Sequence, residues 1–219
     1  LKISNGKNKE IKLPITADRL FAVTKIKGDV MSRALLFFVF FSTYLLAYSV
    51  NQYVYQFRHL THHQKEVLKQ VWYKAKPYDL SYTMSAIAFK ESSLGVVLFN
   101  RKDGEIGSYG VFHNLVGSVY DRYVSFKPKS KNKELSIKLG LAKRLIDDFD
   151  FSFSQSLAEL EFWKNMAKTK GYWNFWKYMI VCYNGGTNGI KNKKSLNYYK
   201  EVVKIIKALK ITKKELKLN

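Results

Sequence analysis

From residue 61 onward, apolar side chains recur at spacings of three and four, and no stretch keeps up the two-residue alternation of a half-buried strand. That periodicity predicts a mainly α chain. Thr61 followed by Gln64 is a capping-box signature, and Val67, Leu68, Val71 and Trp72 then continue one helical face. Pro77 ends that helix, and Asp79 or Ser81 is placed to cap the next. Helical pattern resumes over about 134–148, 154–169, 172–183 and 197–210, the last with Val202, Val203, Ile205, Ile206 and Leu209. Five of the twelve glycines fall in 95–120, which reads as loop with a small β element near 96–112. Three prolines and twelve glycines leave the rest free to be helical, and 47% hydrophobic residues suffice for a core.

The N-terminal fifth is different. Residues 1–30 form a polar, basic leader. Met31 opens a segment with Arg33 followed by an uncharged apolar run from Ala34 to Val50. Residues 31–52 therefore read as a secretory signal peptide, with Ala47-Tyr48-Ser49 as a small-x-small cleavage site, or as an uncleaved membrane anchor. If Met31 is the start, residues 1–30 are upstream read-through. Basic residues on the N-terminal side keep that end cytoplasmic, which places the remainder in the periplasm or cell envelope. One domain is expected over 55–210, with 211–219 as a basic tail.

The formal net charge is +21. It implies polyanionic surroundings: nucleic acid, anionic lipid, or a wall rich in carboxylate and phosphate. Lysine heavily outnumbers arginine, which weighs against base readout. Cys182 is the only cysteine and lies in the apolar run Met179–Cys182, the setting of a buried, inert thiol. His59, His62 and His63 cluster at a helix start, but no cysteine or carboxylate completes a ligand set.

Leu80, Met84, Ile87 and Ala88 mark one helical stripe, and the next position on that face is Glu91. A carboxyl on a core-facing side loses water, and burial favours the protonated acid, the form needed to protonate a leaving oxygen. Ser92, Ser93 and Gly95 follow and stop the helix, so the carboxyl meets loops where a cleft can open. Further along come Gly107–Gly110 (GSYG), then Tyr183–Gly186 (YNGG) after an apolar helix, then Asn197–Val203 (NYYKEVV) in the last helix.

These four pieces, AIAFKESSLG, GSYGVFH, CYNGG and NYYKEV, resemble in order the motifs of the lytic transglycosylases of the lysozyme superfamily. The resemblance covers about residues 66–206. It implies a small helical lysozyme-like domain, behind the N-terminal signal or anchor helix, acting on peptidoglycan glycan strands. Glu91 corresponds to the catalytic acid/base. Ser92, Gly110, Phe112, His113, Tyr183, Asn184 and Tyr198 correspond to residues at the substrate. The implied reaction cleaves the N-acetylmuramic acid–N-acetylglucosamine bond with a 1,6-anhydro product, as a monomer, without metal or other cofactor and without a nucleic-acid partner. Val111, Phe112 and His113 stand where the family has Leu, Met and Gln, so a titratable ring replaces an amide.

Two other readings stay open. Asp103 and Glu105 lie in the glycine-rich loop at spacings similar to goose-type lysozymes and could hold a hydrolytic water, or they are solvated loop charges. Alternatively the fold is a catalytically idle wall-binding scaffold. Asp147 and Asp148 read as helix surface, and Tyr172, Trp173, Phe175, Trp176 and Tyr178 as partly core and partly sugar-stacking. The N-terminal reading is tested by fractionating cells that express the chain from Met31. Product in membrane or periplasm is expected, and a wholly cytoplasmic product refutes it.

Overall fold

A computed structural model describes residues 49–103, 106–125 and 128–219. The leader and the apolar segment up to residue 48 lie outside the described residues, as does Glu105. Among the described residues, no helix is long and apolar enough to cross a membrane.

Residues 49–219 form one compact, mainly helical unit. Helix α1 is described over 49–58. It is followed by α2 (His62–Ala75) and α3 (Ser81–Ser92), then by three two-residue strands, β1 (Phe99–Asn100), β2 (Ser108–Tyr109) and β3 (Asn114–Leu115). The strands form an antiparallel sheet in the order β1-β2-β3, with Phe99 opposite Tyr109 and Tyr109 opposite Asn114. Then come α4 (Val116–Tyr123), α5 (Lys131–Asp147), α6 (Phe149–Thr169), α7 (Phe175–Gly185) and α8 (Lys193–Thr212).

The capping box forms as expected: Gln64 N–H donates to Thr61 Oγ1 at 3.3 Å and Thr61 N–H to Gln64 Oε1 at 2.9 Å. The next helix start differs. Pro77 sits in a short 3₁₀ turn, Asp79 takes a left-handed conformation (φ 56°), and neither Asp79 nor Ser81 caps α3. The Ser81 hydroxyl instead donates to Trp72 O at 2.9 Å, tying α3 back onto α2. Residues 116–120, expected as loop, are helical and belong to α4. Their apolar side is short, with only Val116 and Val119 fully buried.

Two apolar clusters result. The larger gathers Phe57, Leu68, Met84, Ile87, Leu160, Met179, Ile180, Ile205 and Leu209 from α1, α2, α3, α6, α7 and α8. The smaller joins Val116, Val119, Leu141, Leu145 and Phe151. α3 is enclosed, with Thr83 to Ala88 all buried. α1 adds Val50, Val54 and Phe57 to the larger cluster, so the compact unit begins ahead of residue 55.

Residues 211–219 belong to this unit rather than trailing from it. Leu218 is fully buried, and the Trp72 indole N–H donates to Asn219 O at 3.3 Å. Leu218→Ala is therefore expected to cost about 2–5 kcal/mol of stability. Chemical denaturation measures it, and a loss within about 0.5 kcal/mol, the range of surface substitutions, would mean that the end is unpacked.

Candidate functional site

Helix α3 stops abruptly. Ser93 (φ 51°), Leu94 (φ 60°) and Gly95 (φ 84°) are consecutive left-handed residues, and Ser93 N–H closes back on Phe89 O at 3.0 Å. Ser92 holds this turn. Its hydroxyl donates to Val111 O at 2.7 Å, with Ala88 O a second acceptor at 3.1 Å, and accepts from Gly95 N–H at 2.9 Å. One buried hydroxyl thus joins the helix end, the turn and the β2–β3 segment. Glu91, one residue earlier, emerges at this junction with its side chain 19% exposed.

Glu91 lines a cleft of about 380 Å³ between the two apolar clusters. α7 supplies Tyr183 and Asn184, the sheet supplies Ser108, His113 and Asn114, and α4 and α6 supply Ser118, Arg122 and Glu159. Asp103 and Lys102 close one end. His113 is the side chain nearest to Glu91 in charge terms, with Nδ1 3.5 Å from Glu91 Oε2. Its other nitrogen, Nε2, is 2.8 Å from Val97 O. A carbonyl only accepts, so Nε2 carries the hydrogen.

Tyr183 is fixed at its hydroxyl, which donates to Phe112 O at 3.0 Å and accepts from Ser156 Oγ at 3.0 Å. Burial, and then the Glu91 charge, push its pKa well above that of an ordinary tyrosine. Tyr198 is buried behind the carboxylate. Its hydroxyl has no partner at hydrogen-bond geometry, and burial followed by the Glu91 charge raises its pKa as well. A buried donor left open costs about 1–3 kcal/mol. Here it stands beside the Glu91 carboxyl.

The side chains singled out from the sequence divide into two groups. Glu91, His113, Tyr183 and Asn184 face the cleft. Ser92, Gly110 and Phe112 are buried and hold its walls. Phe112 packs against Phe149 and Phe153 with no exposed surface, so its ring is a core group and not a substrate contact. Gly110 (φ 82°) lies so close to α5 and α6 that a Cβ would come within 2.4 Å of both Leu145 O and Ser152 Oγ. Gly107 is pressed against β1 in the same way, at 2.6 Å from Asn100 O. The close approach expected of GSYG is thus to the protein's own backbone.

Asp103 is more than a solvated loop charge. Its Oδ2 accepts from Asn100 Nδ2 at 2.8 Å and from Ser108 Oγ at 2.7 Å, and it lines the same cleft as Glu91. Asp147 pairs with Lys143, and Asp148 caps α6 by accepting from Phe151 N–H at 2.9 Å. His59, His62 and His63 are exposed, and no group of three metal-ligating side chains occurs among the described residues. Cys182 is buried, and burial raises its thiol pKa. None of Tyr172, Trp173, Phe175, Trp176 and Tyr178 lines the Glu91 cleft. Tyr178 is core, and Trp173 stands 90% exposed beside a separate shallow groove.

No local pattern signals the Arg122–Glu159 pair, which also lines the cleft. The Trp163 indole N–H donates to the same carboxylate at 2.6 Å. No family model matches the chain, and no curated protein or solved structure matches it.

If Ser92 is the clamp described, Ser92→Ala leaves the Val111 carbonyl and the Gly95 N–H short of a partner. The expected loss of stability is about 1–3 kcal/mol. A variant of unchanged melting midpoint and weakened glycan binding would instead make Ser92 a substrate contact.

Proposed function

We propose that this chain is a peptidoglycan lytic transglycosylase with a lysozyme-like domain, and that Glu91 is its catalytic acid and base. The observation that carries this reading is the position of Glu91: a largely shielded carboxyl at the end of an enclosed helix, opening into a cleft beside Tyr183 and Asn184. The four sequence motifs that resemble this family converge on that one place. The cleft itself is not basic. It holds Glu91, Asp103 and Glu159 against Lys102 and Arg122, and Arg122 is already paired with Glu159. That lining suits an uncharged sugar backbone better than a nucleic acid, whose phosphates demand unpaired cations.

In this mechanism Glu91 protonates the glycosidic oxygen as the bond to C1 of the muramoyl residue breaks. The resulting carboxylate then takes the proton from that sugar's own 6-hydroxyl, which attacks C1. Intramolecular attack saves the entropy of recruiting water, so a single carboxyl serves both steps. Export or anchoring by the apolar N-terminal segment brings the domain to its substrate in the periplasm or envelope.

One observation favours a second reading. Asp103 lies in the same cleft with its carboxylate fixed by two donors, and a hydrolase of goose-type character would use such a group to hold water. The products distinguish the two. On purified peptidoglycan, mass spectrometry is expected to find 1,6-anhydromuramic ends, lighter by one water than hydrolysis products. Glu91→Gln is expected to lose about 10²–10⁴-fold in rate with an unchanged circular dichroism spectrum. Hydrated products that depend on Asp103 would overturn the transglycosylase reading and leave Glu91 as the acid. Full activity of Glu91→Gln would remove both.

A further inference from the structure

We propose that His113 and Glu91 hold one proton between them, and that His113 is a positioning residue keeping that proton in the cleft for Glu91 to deliver. The proposal rests on the reading of Glu91 as the acid. It also rests on geometry, because His113 brings a titratable ring to within 3.5 Å of that carboxyl.

Three constraints fix the ring. His113 occupies a left-handed conformation (φ 47°), and its N–H closes a turn on Gly110 O at 3.1 Å. Nε2 is committed to Val97 O, so Nδ1 alone is free to gain or lose a proton. That nitrogen points at Glu91 Oε2 from 3.5 Å, with the two side chains only 8% and 19% exposed. The pair therefore has two arrangements of equal proton count, imidazolium with carboxylate and neutral imidazole with carboxylic acid.

The surrounding charges decide between them. Asp103 adds a second negative charge facing His113, while Lys102 lies on the same loop and Arg122 is neutralised by Glu159 across the cleft. Tyr183 and Tyr198, on the other side of Glu91, stay protonated. Burial by itself pulls the His113 pKa down. The hydrogen bond to Glu91, the bond to Val97 O and the charges of Glu91 and Asp103 outweigh it and hold the ring above the ordinary 6.5. In the open cleft these contacts favour the arrangement with the proton on His113. A glycan that fills the cleft expels water, and an ion pair that loses solvation moves toward its neutral form. The proton passes from Nδ1 to Oε2 and from there to the leaving oxygen. Glu91 next accepts the proton of the attacking hydroxyl, and the pair ends the cycle with the count it began with.

A raised histidine pKa means that the proton is lost at a higher pH than from an ordinary imidazole. The alkaline limb of activity should follow. With the full chain in detergent, His113→Gln and His113→Asn are expected to move that limb down by at least about one pH unit. On the alkaline side of the moved limb, activity relative to each variant's own acid-side plateau then falls about tenfold per pH unit. Asn tolerates the left-handed backbone, so it guards against a folding defect in the Gln variant. A purely structural role would lower the rate at every pH without moving the limb, and that result overturns the proposal.

A second measurement needs no turnover. The chain has four histidines, and the His113→Asn spectrum assigns the ring of His113 by NMR. Its titration midpoint should fall in Glu91→Gln. An unmoved midpoint overturns the shared proton whatever the activity. A lowered midpoint in a chain that cleaves no glycan upholds the shared proton and removes only the reading of Glu91 as a glycosidase acid.

Discussion

The enclosure of α3 governs the rest of the molecule. A helix buried over Thr83–Ala88 must be narrow as well as apolar, and its sequence supplies Ser85, Ala86 and Ala88 at the places where neighbours press closest. Met84 and Ile87 fill the wider gaps, each contributing about 1.5–3 kcal/mol by burial. Such a helix has almost no freedom to rotate or slide. Whatever follows its last buried turn is therefore placed as firmly as the core. Glu91 follows it, and the Ser92 clamp prevents the helix from unwinding beneath it.

This rigidity accounts for how the second cluster is attached. Val111 O receives the Ser92 hydroxyl, and Asn114 Nδ2 donates to Ser152 O at 3.0 Å, so the β2–β3 segment is pinned to α3 at one end and α6 at the other. The three strands are too short to be stable as a sheet on their own. They serve as a strap whose two anchor points set the width of the cleft. The glycines of GSYG let the strap lie directly against β1, α5 and α6.

The helices were legible in the sequence wherever one face was apolar and the other charged, as in α2 and α8. α4 was not, because only Val116 and Val119 mark its buried side and it follows a glycine-rich stretch. Periodicity placed Glu91, but adjacency in a motif could not separate residues that face the cleft from those that build its wall. Ser92 and Phe112 are both buried, Ser92 bonded to Val111 O and Phe112 packed on Phe153. Arg122 and Glu159 are 37 residues apart and meet only through the packing of α4 near α6, a relation that no local pattern encodes. The last residues read as a basic tail because their lysines conceal Leu216 and Leu218, which pack inward.

The distribution of charge bears on how one carboxyl can work beside another. Asp103 accepts two hydrogen bonds on one oxygen from neutral donors. Its charge works against a second negative charge in the same cleft. It thereby favours a proton on the Glu91–His113 pair, in either of its arrangements. Asp103 has this effect from the far side of the imidazole, whose pKa its charge raises, and it need not touch the reacting sugar. The same carboxylate that would hold water in a hydrolase can therefore serve a transglycosylase by keeping a proton in the cleft.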